Sequence, residues 1–237
     1  MCTVTFIPQP TGYILTSNRD ESALRSPKNI STETRNGQQL FFPRDKGAGG
    51  TWICLSSSDR LVCVLNGAFK RHQRQLPYRK SRGVIVFEFF DYQHATHFFE
   101  EYEFDRIEPF TMIIYDKGQL FDFRWDGQKK HLTTLNTLEK HIWSSATLYE
   151  EPVQKKRKQW FSEWLKERTN FSRTAILELH KKGGEGNPSI DFMMNRYNYL
   201  VQTVSITQVE KRDKRYELHY HDLITNSKMM KDLKIDI

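Results

Sequence analysis

Residues 2–8 alternate between apolar and polar positions, with Val4 and Phe6 on one face, and the pattern predicts a strand. "PQPTG" (8–12) breaks it, and Tyr13–Thr16 resumes it. The two runs should form a hairpin centred near residue 10. Paired positions then sum to about 20, which places Cys2 opposite Asn18 with Arg19 and Asp20 just beyond. A loop punctuated by Pro27, Gly37 and Pro43 follows. A second hairpin, residues 51–56 and 60–66, turns near Ser57–Asp59 and returns Asn66 towards Gly49 and Gly50. Val84, Phe87, Phe90, His94, Phe98 and Tyr102 recur at helical spacing and predict a helix over 80–104, with Ser81 as its cap. Residues 110–116, 118–127 and 129–135 predict a meander of strands. A second helix is expected over 150–168, with Trp160, Phe161, Trp164 and Leu165 inward and the lysines outward. Ser172 caps a third helix to about His180, "KKGGEGNPS" (181–189) is a flexible loop, and residues 200–210 and 216–224 form a last hairpin.

Strands paired in hairpins, with helices in separate blocks, argue for an α+β fold with mostly antiparallel sheets rather than a doubly wound parallel sheet. The chain of 237 residues is 38% hydrophobic and suits one domain, 1–237, with a substantial core. No run approaches the roughly 20 apolar residues of a membrane span, and the first residues lack the pattern of a secretory signal. The net charge of +7 raises the question of nucleic acid, but the basic residues are scattered, and runs such as Lys155–Lys158 read as the solvated face of a helix. Nucleic acid is therefore not expected as a partner. The three cysteines, Cys2, Cys54 and Cys63, fit no zinc spacing and point to a reducing, cytoplasmic setting. Cys54 and Cys63 sit in apolar strands as small hydrophobes.

Cys2 is different, because removal of Met1 would leave its thiol beside a free α-amine. That amine titrates near 7.7–8.0 and the thiol near 8.5, so one residue supplies nucleophile and base. A thiolate attacking a carbonyl needs a donor for the oxyanion, and the amide of Asn66 is a candidate. Asp20 can orient the α-amine. Arg19 can lower the thiol pKa or bind a substrate carboxylate. Asn18, Glu21 and Trp52 are candidate binding residues. Taken singly, these pieces have ordinary alternatives: "NRDE" as a salt-bridged strand end, Asn66 before Gly67 as a turn residue, "GAGGTW" as a turn before a buried tryptophan. "GAGGTW" lacks the GK[ST] of a phosphate loop. Asp91, His94 and His97 read as packing on one helix. No metal and no cofactor is expected.

Taken together, "MCTVTF", "SNRDE", "GGTW" and "VLNG" occur in the order and near the spacing of the NRDE family, also called the transport and Golgi organisation 2 family, which the chain resembles. The match is specific over about residues 1–70 and colinear afterwards. The resemblance implies a four-layer αββα sandwich related to the N-terminal nucleophile (Ntn) hydrolases. In the cysteine members of that superfamily the second-residue cysteine cleaves a non-peptide amide. Cys2 then maps to the nucleophile, Asp20 to the carboxylate near the α-amine and Asn66 to the oxyanion asparagine. Arg19 belongs to the NRDE motif itself. Two positions depart: Ala146 in "SSATLYEEP" stands where an asparagine is usual, and Val204 in "TVSIT" where a late arginine is expected. The implied activity is that of an amidohydrolase on a small amide or acyl conjugate. The alternative is a catalytically degenerate member binding an apolar ligand such as haem or an acyl chain.

Overall fold

The computed structural model describes residues 3–235 apart from 26 and 28. β1 (Thr3–Gln9) and β2 (Gly12–Glu21) turn back on each other at Pro10 and Thr11. Thr3 stands opposite Asn18, one residue from the expected register. Where Pro and Gly predict a loop, β3 (Ile30–Arg35) and β4 (Gln38–Pro43) form a further hairpin. Its turn is Asn36–Gly37, with φ of 48° and 76°, the two-residue geometry that matches strand twist. Pro43 merely closes the strand. β5 (Ile53–Ser56) and β6 (Arg60–Asn66) pair as expected.

The helix expected over 80–104 is broken into α1 (Arg82–Glu88) and α2 (Ala95–Glu101). Tertiary contacts override the apolar period here. The Asp91 carboxylate accepts from Arg35 Nε at 2.6 Å and Asn36 Nδ2 at 2.8 Å. Asp116 accepts from the Ala95 N–H at 2.6 Å, so a new helix starts there. The meander β7 (Phe110–Asp116), β8 (Gln119–Trp125) and β9 (Lys130–Leu135) follows, then β10 (His141–Ser144). α3 (Glu151–Lys166) and α4 (Arg173–Lys182) match expectation, and Ser172 accepts from the Ala175 N–H at 3.2 Å as the cap of α4. β11 (Asn195–Arg196), β12 (Val201–Arg212), β13 (Arg215–Asp222) and β14 (Lys228–Lys234) complete the chain.

All pairings are antiparallel. One sheet runs β10-β1-β2-β12-β13-β14, with β11 on β12, and the other runs β3 to β9 in sequence order. Alternation in β1 and β2 separates two cores. Phe6 and Tyr13 stack at 4.7 Å and face the other sheet, where Tyr115 meets Tyr13 at 4.6 Å. Ile7 and Ile14 point the other way and pack with Phe161 of α3 and Ile176 and Leu179 of α4. On the far side, Phe87 of α1 meets Phe42 and Phe98 of α2 meets Phe123. The layers are therefore helix, sheet, sheet, helix. Among the described residues no helix is long and apolar enough to cross a membrane.

A buried polar lock ties β1 and β2 to α4. Asn18 Nδ2 donates to the carbonyl oxygens of His180 (3.1 Å) and Phe192 (2.8 Å), which leaves Oδ1 as an acceptor. His180 Nδ1 lies 2.7 Å from that oxygen and so carries the ring proton. Nε2 then accepts from Thr5 Oγ1 at 2.8 Å. Burial, reinforced by the charge of Arg157, lowers the His180 pKa to about 3. The folded state thus holds this ring neutral, while the unfolded chain protonates it below about 6.5. Its contribution to stability is present above that pH and is lost as pH falls towards 3. Denaturant unfolding at a series of pH values should show a loss of up to about 1.4 kcal/mol per pH unit from this residue. The slope should shrink in His180→Gln; equal slopes in the two proteins would exclude the lock.

Candidate active site

The end of β2 carries Asn18, Arg19, Asp20 and Glu21, and strand alternation sends them to two faces. Asn18 and Asp20 point to the α3–α4 side, whereas Arg19 and Glu21 line a pocket of about 250 Å³ that opens at the sheet ends. Asn18 is therefore not brought to the pocket; its amide is consumed by the His180 lock. Glu21 and Trp52 line its wall.

Arg19, 3% exposed, forms an ion pair with Asp45, and its guanidinium lies 4.2 Å from the Trp52 ring centroid. Asp45 also holds Arg25 (Nη2 at 2.9 Å) and accepts the N–H groups of Gly47 (2.8 Å) and Ala48 (2.9 Å). Burial lowers the Arg19 pKa, and Asp45 counters it. For Asp45, burial pushes upward, but the Ala48 N–H and the charges of Arg19 and Arg25 outweigh it and hold the carboxyl below its usual range.

The "GAGGTW" loop is pressed onto α1. A Cβ on Gly50 would lie 2.5 Å from the Gly83 carbonyl carbon, and the Thr51 N–H donates to Gly83 O at 3.1 Å. Only glycine permits that approach. It delivers Ser81 and Arg82 to the pocket, where Arg82 (3.1 Å) and Arg74 (3.4 Å) pair with Glu108.

Asn66, half-buried, ends β6 on the pocket wall, and its side-chain amide makes no hydrogen bond to the described residues. Its carbonyl accepts from Ser145 Oγ at 2.9 Å. Gly67, at φ 78°, lies against Ala146 and Thr147. Ala146 is thus at this rim, buried, with no side-chain amide to offer. Asp20 is also buried: Oδ1 accepts from Thr203 Oγ1 at 2.6 Å and Oδ2 from the Tyr149 hydroxyl at 2.9 Å. Opposite it, β12 bulges between Thr203 and Ser205, and the extra residue is Val204, fully buried.

Cys2 lies outside the described residues; β1 begins at Thr3, beside Asn18. Cys54 and Cys63 are buried, and burial raises both thiol pKa values, that of Cys63 to about 12. Neither can act as a nucleophile near neutral pH. Among the described residues no group of three or more His, Cys, Asp or Glu side chains is placed to hold a metal ion.

Sequence reasoning missed Asp45, Arg25, Arg82, Glu108, Thr203 and Tyr149. Asp45 did carry a signal, since "DKG" favours the turn in which its side chain accepts backbone N–H groups. Arg25 pairs with Glu21 four residues before it, and the other four meet the site through contacts distant in sequence.

The antiparallel αββα sandwich, with its pocket at the sheet ends, is the architecture of the Ntn hydrolases. A variant of conjugated bile acid hydrolase from Clostridium perfringens superposes with a TM-score of 0.53 at 9% identity, over 98% of this chain and 92% of that one. An N-acylethanolamine-hydrolyzing acid amidase ortholog from Caenorhabditis elegans gives 0.49 at 17% identity, over 87% and 92%. No curated protein matches the chain. The model of the family Transport and Golgi organisation 2 matches residues 1–229, and the chain belongs to that family.

Two outcomes follow from this geometry. A thiol reagent applied to the native protein should spare Cys54 and Cys63 and modify both after denaturation; rapid native modification of either, read by peptide mass, would contradict the burial. Asp45→Ala should cost about 3–5 kcal/mol in denaturant unfolding, because it strands the buried Arg19 charge. A loss below about 1 kcal/mol would mean that the pair is dispensable.

Proposed function

We propose that the whole chain acts as one N-terminal-cysteine amidohydrolase on a small non-peptide amide or acyl conjugate. The observation that carries this reading is Asn66. Its amide, without a hydrogen-bond partner among the described residues, lies on the wall of a pocket at the sheet ends, in a chain whose family and fold are those of an Ntn-type sandwich.

In this reading Met1 is removed and the Cys2 α-amine takes the thiol proton. The sulfur bonds to the substrate carbonyl carbon as the C=O electron pair moves to oxygen, where the Asn66 amide donates to it. Collapse breaks the C–N bond, and the leaving nitrogen takes the proton from the α-ammonium. Water then cleaves the thioester, releasing the carboxylic acid and restoring Cys2. Asp20, fixed by Thr203 and Tyr149, orients the amine. Arg19, held by Asp45 and Trp52, shapes the wall rather than reacting. A conjugate is the class to test first, since the shared fold includes a hydrolase of conjugated bile acids. The walls are rich in arginine and carboxylate, which suits a polar head group better than haem or a bare acyl chain.

A second reading, a degenerate member that binds without turnover, is favoured by Ala146 and Val204, two buried apolar side chains where the resemblance leads one to expect an amide and an arginine. The two readings separate on amine release from a panel of small N-acyl conjugates. Cys2→Ala should abolish release, and Asn66→Ala should lower kcat by about 10²–10³-fold with little change in KM. Undiminished release by Cys2→Ala would eliminate the first reading, and binding without release by the native chain would establish the second.

A further inference from the structure

The rim of the pocket has a character that hydrolysis does not require. Residues 67–81, between β6 and α1, form an irregular segment of a length that is uncommon inside a domain unless it has a function. From Gly67 to Phe87 there is no Asp or Glu, while Lys70, Arg71, Arg74, Arg79, Lys80 and Arg82 are basic. Glu108 pairs with Arg74 and Arg82, and Glu88 with Lys80, whereas Lys70, Arg71 and Arg79 form no ion pair among the described residues. Phe69 and Leu76 are exposed within it, Leu76 by 71%. A second acid-free stretch runs from Phe192 to Val209. Its tip exposes Tyr197, Tyr199 and Leu200, the last by 71%.

The two stretches flank one piece of chain. Gly67 lies against Ala146 and Thr147, and Arg196 Nη1 donates to the Leu148 carbonyl at 2.8 Å. Both also reach the pocket. Arg74 and Arg82 are on its wall, and so is Glu21, whose strand partner Gln202 follows Leu200 by two residues.

We propose that this rim docks on an anionic phospholipid bilayer, with Lys70 and Arg71 among the headgroups and Phe69, Leu76, Tyr197, Tyr199 and Leu200 entering the interface. A nucleic acid would use the charges but gain nothing from exposed leucines, which neither stack on bases nor pair with phosphate. A membrane uses both: basic residues near an anionic surface each strengthen binding roughly fivefold, and leucine and tyrosine tips settle at the boundary. The inference is independent of turnover and holds whether or not the site hydrolyses its ligand.

The test is co-sedimentation of the full chain with phosphatidylcholine vesicles with and without phosphatidylserine. Binding should require phosphatidylserine and weaken with salt. Lys70→Glu with Arg71→Glu should weaken it at least about tenfold. Leu76→Ser with Leu200→Ser should weaken it at unchanged charge. Lys158→Glu with Lys166→Glu, which reverses the same charge on α3, should leave it within about twofold. All six positions are exposed, and circular dichroism checks that each variant is folded. Absence of phosphatidylserine-dependent binding would overturn the proposal. So would equal weakening by the α3 variant, which would reduce the effect to net charge. Indifference to the leucine substitutions together with tighter binding to an RNA oligonucleotide would assign the rim to nucleic acid instead.

Discussion

The site depends on one constraint, the two-residue alternation of β2 where it is clamped between β1 and β12. Because successive side chains leave a strand on opposite faces, the run Asn18, Arg19, Asp20, Glu21 cannot act as one cluster. It is divided between a structural lock and a carboxylate on the helix side, and an arginine and a glutamate on the pocket side. Antiparallel pairing fixes that division on both flanks. A slip of one residue would exchange the two sets and bury Arg19 against Ile176 and Leu179 without Asp45 to compensate it.

The polar residues around this strand are held by different means. On the helix side, hydrogen bonds satisfy the polar groups: Asn18, His180 and Thr5 form one network, and the Asp20 carboxyl accepts from Thr203 and Tyr149 in another. On the pocket side, charge is balanced by charge, Arg19 and Arg25 by Asp45 and Glu21, Arg74 and Arg82 by Glu108. The Asn66 amide stands apart from both networks. In the proposed reading, a partly buried donor without a partner among the described residues is available to a developing oxyanion.

Much of this was legible in the sequence. The opening hairpin, the β5–β6 hairpin and the β7–β9 meander follow from alternation and turn residues, and they bring Arg19, Asp20, Trp52 and Asn66 to one end of the sandwich. What was not legible depended on distant partners. The β3–β4 hairpin was concealed because Pro43 and Gly37 read as breakers, although Asn36–Gly37 is a strong hairpin turn. The helix over 80–104 was interrupted by Arg35 and Asp116, whose proximity no local period reveals. β14 was missed because only Leu233 of its residues is fully buried, as befits an edge strand guarded by lysines. The place of Asn18 in the lock was hidden for a related reason: its partner His180 is 162 residues away.

The central claim is that Cys2 becomes the N-terminal residue and carries the reactive sulfur. Intact-mass analysis of the protein from cells, before and after exposure to an acylating thiol probe, tests it most directly. The account predicts a mass lacking Met1 and a single adduct that maps to Cys2. A retained methionine, or an adduct on any other residue with Cys2 unmodified, would contradict it.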